Sequence, residues 1–438
     1  MKHNFYLLVI IFSAFVSCSV QKQISRSAIG IVLNDSSLKS AHVGISIFDP
    51  SENKYLYNYQ GGKYFIPASN IKIPTCYAAM KYLGDSLVGL KYINSGETLT
   101  IIPSGDPTFL LPEFKNQPLL EFFQRNTNDI SISLHPWQEN PLGSGWSWND
   151  YQETYMAERS IMPVYGNVIQ FSGTIDNLSI IPSGAADSLF IVTGAGSRFI
   201  KNIVREKNGN VFRVYRDGSP TARIIKTIDT KNGRMLKRLL EDTLKRTVNL
   251  SENPSPVHFN NPGIRSIKTQ PTDSLLMPMM HRSDNFFAEQ SLLMVSNEIL
   301  GIMDDSKVID SILETDFKNL PQKPRWVDGS GLSRYNLFTP MSLVAILKKM
   351  KDEFGMDRIK TIFPTGGEGT ISSYYKKESG FIYGKTGTLS GVVAFSGFLY
   401  TRKGKLLIFS TLINNHQASA TDIRRAIEKF LIKVRSLD

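Results

Sequence analysis

Apolar and polar positions alternate most clearly near the two ends of the chain. Val43-Gly44-Ile45-Ser46-Ile47-Phe48 and Lys54-Tyr55-Leu56-Tyr57-Asn58-Tyr59 flank a polar turn and predict a hairpin. A helix is predicted from Ser69 to Leu83, closed by Gly84, with Pro74 expected to disturb one backbone hydrogen bond and kink it. From Thr98 to Thr230 the texture changes. Short runs such as Leu189 to Val192, Asn210 to Tyr215 and Ala222 to Ile228 are punctuated by Gly, Asn, Asp and Pro, which predicts a β-rich region. A helix is predicted around Met235 to Lys245. After Pro271 helical runs return at Ser274 to Met280, Asn285 to Leu300, Lys307 to Glu314 and Pro340 to Lys351. Three β-type runs at hairpin spacing follow, Phe381 to Leu389, Gly391 to Thr401 and Lys405 to Ile413, then an amphipathic helix from Ala420 to Val434.

The two ends therefore read as halves of one α/β (α+β) unit, residues 27–97 and 266–438. Residues 98–265 read as a β-rich insertion of two subdomains, and no internal repeat is visible. The length agrees: 438 residues at roughly 150 per domain is about three domains.

Composition narrows the chemistry. Hydrophobic residues at 41% and charged residues at 20% describe a folded globular chain. The 21 Pro and 32 Gly are scattered, which excludes collagen and a long disordered tract. Two Cys exclude a disulfide framework and a four-ligand zinc site. No dinucleotide fingerprint, phosphate-cradling glycine loop, HExxH or GxSxG elbow is present, and no metal or organic cofactor is implied. The balance is basic, 50 Lys+Arg against 39 Asp+Glu for +11. The cations are dispersed among acids, and even the run Lys226 to Arg246 holds Asp229, Glu241 and Asp242, so nucleic acid is not the expected partner.

The N-terminus reads as an address. Lys2 precedes an apolar run from Phe5 to Val16, whose twelve residues would span only about 18 Å of helix against a hydrocarbon core of about 30 Å. That fits the apolar region of an export signal. Residues 1–18 end in Ser17-Cys18 and resemble a bacterial lipoprotein signal, in which the cysteine becomes the lipidated first residue. Simple cleavage and periplasmic release is the plainer alternative. Ser19 to Ser27 reads as a short polar tether. Cys76, in an apolar helical stretch, reads as a small core residue.

A serine nucleophile needs a base within hydrogen-bond reach and donors for the oxyanion. Ser-x-x-Lys on a helix brings hydroxyl and amine to one face. It occurs at Ser36/Lys39, Ser69/Lys72 and Ser373/Lys376, and only the middle copy opens a long apolar helical run. Ser-x-Asn occurs at Ser51/Asn53, Ser147/Asn149, Ser251/Asn253 and Ser283/Asn285. Lys385-Thr386-Gly387 occurs once, in a predicted strand whose glycine permits close backbone approach.

In the order SNIK, SDN, KTG these motifs match the signature of penicillin-interactive serine enzymes. With SGDPT (Ser104 to Thr108), GWSWND (Gly145 to Asp150), RSDNFFAE (Arg282 to Glu289), DGSGLSR (Asp328 to Arg334) and GKTGTLSG (Gly384 to Gly391), the chain resembles the D-alanyl-D-alanine carboxypeptidase/endopeptidase family, the class C low-molecular-mass penicillin-binding proteins. The resemblance runs from about His42 to the C-terminus, and 210 residues separate Lys72 from Ser283, room for that family's insertion.

The resemblance implies a β-lactamase/transpeptidase-like domain split by the insertion. It implies Ser69 as the acylated nucleophile and Lys72 as its proton acceptor. Ser283 would relay protons, Asn285 would hold the substrate amide, and Lys385 and Thr386 its terminal carboxylate. The N–H groups of Ser69 and Thr388, beside Gly387, would form the oxyanion hole. Asp150 and Arg334 would contact the charged end of the stem peptide's diamino acid, though Asp150 also suits a loop or cap position. Ser390 stands where relatives can carry a longer Gln. Trp146 and Trp148 read most simply as packing of the insertion, with flanking of the cleft as the alternative, His281 as a satisfied structural histidine, and Gly366-Gly367-Glu368-Gly369-Thr370 as a family turn. The implied partners are peptidoglycan stem peptides and β-lactams, with a membrane reached only through Cys18. SNIKIP also resembles the opening of class D β-lactamases, so a β-lactamase stands as a rival, and a non-catalytic wall-binding scaffold as a second.

Overall fold

The computed structural model describes residues 20–174, 177–192, 200–216, 223–251 and 263–437. Residues 1–19, Cys18 included, lie outside them. The first sheet is antiparallel in the order β14-β15-β16-β1-β2. Its strands are β1 (His42–Asp49), β2 (Lys54–Tyr59), β14 (Ile382–Leu389), β15 (Val392–Tyr400) and β16 (Leu406–Asn414). The predicted hairpins at both ends of the chain thus join into one sheet, with β1 paired to β16 from His42↔Asn414 to Phe48↔Ile408.

Both faces of this sheet are covered, which is why β16 reads as a nearly continuous apolar run rather than an alternation. On one face Val393, Phe395, Phe409 and Ile413 meet Ile423, Ile427 and Phe430 of α9 (Ala420–Arg435). On the other, Ala394, Phe398 and Leu412 meet Leu343, Val344 and Leu347 of α8 (Pro340–Ile362). Helix α8 runs past its predicted end, with Gly355 at φ 75° breaking the helical geometry inside it. Behind it pack α2 (Lys72–Tyr82), α5 (Thr272–His281), α6 (Asn285–Leu300) and α7 (Asp305–Glu314). Cys76 is buried there as expected, and burial pushes its thiol pKa up.

The second sheet, in the order β12-β5-β4-β3-β13, comprises β3 (Ser86–Ser95), β4 (Thr98–Pro103), β5 (Asp129–Ser133), β12 (Val248–Ser251) and β13 (Arg265–Pro271). Residues 86–97, read from sequence with the first unit, are therefore hydrogen-bonded into this sheet. Helices α3 (Pro118–Arg125) and α4 (Arg234–Leu244) pack on it through Leu119, Phe123, Leu236 and Leu240. Two three-stranded sheets complete the insertion: β6 (Val168–Thr174), β7 (Asn177–Ile181) and β11 (Ile224–Thr227), then β8 (Ser188–Val192), β9 (Ile200–Arg205) and β10 (Val211–Arg216).

Two local expectations fail for identifiable reasons. Pro74 does not kink α2, because it is the third helical residue and first-turn N–H groups have no intrahelical acceptor to lose. The expected tether is instead helical: residues 20–28 form α1 and continue through Ile29–Leu33. Its polar texture hides a spacing of four, Ile24, Ala28 and Val32, and all three are buried with α9 and β1. Truncating Ile24 to Ala removes most of a fully buried side chain and is expected to lower stability by about 2–4 kcal/mol in denaturant unfolding; a flexible tether would leave the midpoint unchanged.

Candidate active site

Ser69 sits in the short 3-10 segment Ala68–Ile71 that leads directly into α2. Ala68, just before it, is held at φ 47° in the left-handed region, sparsely populated by non-glycine residues and typical of functional sites. The i, i+3 spacing brings Lys72 Nζ to 3.1 Å from Ser69 Oγ. The same amine donates to Asn285 Oδ1 at 2.6 Å and to the Ser330 carbonyl at 2.7 Å. Lys72 is fully buried; desolvation lowers its pKa to about 8, against the opposing pull of Asp328, Glu289 and Asp284.

Ser283 and Asn285 flank Asp284, whose carboxylate caps α6 through the Phe287 N–H. Ser283 takes φ 62°, and its Oγ accepts from Lys385 Nζ at 2.9 Å. Asn285 Nδ2 donates to the Tyr155 carbonyl of the insertion at 2.8 Å. Lys385 is fully buried on β14, and desolvation with the nearby Lys72 charge holds its pKa well below the usual value. Asn70 Nδ2 donates to the Lys385 carbonyl at 2.9 Å, tying β14 to the Ser69 turn. A Cβ on Gly387 would lie 2.7 Å from the Pro67 carbonyl and 3.0 Å from the Ser69 nitrogen, so only glycine allows this approach.

These elements border a cleft of about 810 Å³. Ser69, Ser283, Asn285, Thr388, Arg334 and Ser390 line it together with Trp146, Asp150 and Tyr155 of the insertion. The D-Ala-D-Ala carboxypeptidase 3 (S13) family matches residues 25–434. The chain belongs to this family. It is a D-Ala-D-Ala peptidase of the serine type. It is 27% identical to the D-alanyl-D-alanine carboxypeptidase of Actinomadura sp. (strain R39), over 90% of this chain and 82% of that one. To D-alanyl-D-alanine carboxypeptidase DacB of Haemophilus influenzae it is 22% identical, over 86% of each. The fold is that of penicillin binding protein 4 (dacB) from Haemophilus influenzae, with TM-score 0.71 at 20% identity, covering 93% of this chain and 97% of that one.

Behind the cleft lie buried residues to which sequence reasoning gave no role. The Asp328 carboxylate accepts from the N–H groups of Gly331 (2.9 Å) and Ser333 (2.6 Å), from Asn336 Nδ2 (2.7 Å) and from Trp146 Nε1 (3.0 Å). Trp146 is thus a cleft wall pinned to the catalytic unit rather than packing of the insertion alone. Trp148 is 67% exposed, beside Lys207. Glu289 accepts from the Ser330 N–H at 2.8 Å, and the Ser330 carbonyl is the one that holds Lys72. Burial pushes the Glu289 carboxyl up, Asp328 adding to this and Arg159 opposing it. Arg159, buried and contributed by the insertion, reaches Glu289 at 3.5 Å, Asp305 at 2.5 Å and Glu139 at 3.0 Å, and lies 5.6 Å over Trp146. Removing one partner of such a network costs about 3–5 kcal/mol, because the others stay buried and uncompensated. Asp328 and Glu289 lie inside the quoted segments DGSGLSR and RSDNFFAE; Arg159 carries no local sequence signal.

The remaining expected residues divide. Asp150 accepts from the Tyr155 hydroxyl, whose pKa burial and this contact push up to about 12. Arg334 donates to the Ser390 carbonyl at 2.9 Å. Thr386 turns its hydroxyl to Thr370, 2.7 Å away in the turn after Gly369, whereas Thr388 reaches the cleft and accepts from Arg424 at 2.5 Å. His281 is not satisfied: its Nε2 is buried without a hydrogen-bond partner, and burial lowers its pKa. Neither Ser36/Lys39 nor Ser373/Lys376 lines the cleft; Ser51/Asn53 spans the β1–β2 turn, and Asn253 lies outside the described residues. Gly387→Ala is expected to push β14 off the Ser69 turn and slow acylation by benzylpenicillin at least about a hundredfold while the folded CD spectrum persists; wild-type acylation would refute the close-approach account.

Proposed function

We propose that Ser69 is the nucleophile of a serine DD-peptidase that cleaves the terminal D-Ala-D-Ala bond of peptidoglycan stem peptides, or the D-Ala–diamino-acid bond of cross-links. The observation that carries the assignment is the hydrogen-bond count at Lys72. Asn285 Oδ1 and the Ser330 carbonyl can only accept, so a neutral amine spends its two hydrogens on them. Its lone pair is then left for the Ser69 hydroxyl at 3.1 Å. Attack of Oγ on the substrate carbonyl passes the serine proton to Lys72. The N–H groups of Ser69 and Thr388 take up the oxyanion charge. Ser283 gives its hydroxyl proton to the leaving amine and recovers one from the proton that Lys72 took from Ser69, so Lys72 is neutral again; water then attacks the acyl carbonyl, passing a proton to Lys72 that returns to Ser69 Oγ as the acid leaves.

Lys385 and Thr386 hold the substrate carboxylate, with Thr370 bracing the Thr386 hydroxyl and Thr388 beside them at the cleft. Gly387 keeps β14 against the nucleophile. The second Nδ2 hydrogen of Asn285 serves the substrate amide carbonyl. Asp150 and Arg334 meet the ammonium and carboxylate of a diamino-acid side chain. β-Lactams enter as substrate mimics that acylate Ser69. Residues 1–18 direct export to the bacterial envelope, where Cys18 provides a lipid anchor; residues 98–265 act as the inserted region that walls the cleft and braces the catalytic residues.

Intact mass through a time course with benzylpenicillin tests the reading. A persistent one-to-one adduct on Ser69 is expected, absent in Ser69→Ala; labelling of that variant refutes the nucleophile, and a transient adduct with bulk hydrolysis identifies a β-lactamase instead. The acylation rate constant is also expected to rise with pH through about 8 and level above it, because the ammonium form of Lys72 cannot accept a proton. A rate independent of pH across that range would exclude Lys72 as the base.

A further inference from the structure

The cleft opens at the end of the first sheet where β14 passes into β15, with Leu389 paired to Val392. The opposite end has different chemistry. There the β1–β2 turn meets the β15–β16 turn, as the pairing of Lys405 with Asp49 and Glu52 shows. The Arg402 N–H donates to the Arg435 carbonyl at 3.0 Å, bringing the C-terminus of α9 to the same place, and the Tyr400 N–H donates to the Phe381 carbonyl at 2.8 Å. Helix α1 starts there too: Gln21 Nε2 donates to the carbonyl of Tyr55, in β2 just past the turn, at 3.3 Å.

This end is basic with an exposed aromatic. Lys22, Arg402, Lys403 and Lys433 are exposed, and Arg435 lies 4.2 Å over the ring of Phe381, itself 43% exposed. Two acids at this end are engaged, Asp49 with Lys405 and Glu52 with both Lys405 and Lys54, and Glu378 lies one turn before Phe381. Compensation of the α9 dipole accounts for Lys433 and Arg435. It does not reach Lys22 on another helix, nor Arg402 in a turn.

The apolar run Phe5 to Val16 and Cys18 stand directly before α1 in sequence. Because α1 is packed through Ile24 and Ala28, an anchor at Cys18 has no long tether and brings a bilayer against this end. We infer that the end of the sheet opposite the cleft is a docking face for an anionic phospholipid surface. Each Lys or Arg near such a surface contributes about 1 kcal/mol, and Phe381 suits the headgroup boundary. The eight residues of β14, at about 3.3 Å each, place the cleft roughly 25 Å from the face, directed away from lipid. The orientation rests on the proposed anchor at Cys18; the charge and the aromatic do not.

The test uses the chain from residue 19, which has no acyl group and retains every described residue. It is sedimented with vesicles of phosphatidylcholine alone or with about 30% phosphatidylglycerol. Binding is expected only with the anionic lipid, and to fall at least about tenfold in 1 M salt, where the Debye length is about 3 Å. The triple variant R402E/K403E/K433E is expected to lose the same binding with benzylpenicillin acylation unchanged, so failure of the docking face and failure of the catalytic reading remain distinguishable. The control K115E/K318E/K323E, equal in charge change and elsewhere on the surface, is expected to bind as wild type. Equal loss in that control, equal binding to neutral vesicles, or retention on heparin without vesicle binding would each overturn the proposal, the last in favour of a soluble polyanion.

Discussion

The structure turns on the cost of burying amines. Lys72 and Lys385 both lie fully out of water, close enough for the charge of one to depress the other. An ammonium in such a place must be paired or give up its proton. Lys72 touches no carboxylate; its contacts are a hydroxyl, an amide oxygen and a main-chain carbonyl. Those partners are polar enough to orient an amine and too weak to keep it fully charged. Its acidity is then set by distance to Asp328, Glu289 and Asp284, which oppose desolvation without contacting the nitrogen.

Holding that balance requires rigidity from several directions. The Ser330 carbonyl is fixed because its own peptide N–H is held by Glu289, and Glu289 stays buried because Arg159 accompanies it. Arg159 and Trp146 come from the insertion, as does the Tyr155 carbonyl that holds Asn285. The insertion is therefore built into the catalytic geometry as well as forming the cleft's far wall. The surrounding loops carry the strain: Ala68 and Ser283 are left-handed, and Gly331 and Gly387 fill positions where a side chain would collide with the Ser69 turn. Backbone conformations of this kind persist where surrounding contacts over-determine them.

The sequence misled where polarity and periodicity disagreed. Ser19 to Ser27 looked like a tether because polar residues dominate it, but a narrow apolar stripe suffices to pack a helix against α9. Pro74 looked disruptive because the helix start was placed at Ser69; moving the start to Lys72 puts the proline where no hydrogen bond is lost. Strand β3 was missed although it turns into β4 through two residues, Ser95 pairing with Thr98; only its pairing with β13 spans the long excursion and leaves no local trace.

Local pattern by itself determined the hairpins at the chain ends, the helices after Pro271 and the three motifs. Short-range geometry is enough for these: an i, i+3 spacing places Lys72 on Ser69, and a period of two defines the strand of Lys385 to Gly387. The family signature rests on the same short segments. Tertiary structure brought the chosen copies, Ser69/Lys72 and Ser283/Asn285, into contact through Lys72 and Asn285. It also decided that Thr388 rather than Thr386 borders the cleft, and that Arg159, Glu289 and Asp328 govern a lysine far from them in sequence. The reason is physical. Proton affinity and hydrogen-bond partners depend on desolvation and on charges brought together across long chain separations, and these come into being only when the chain closes on itself.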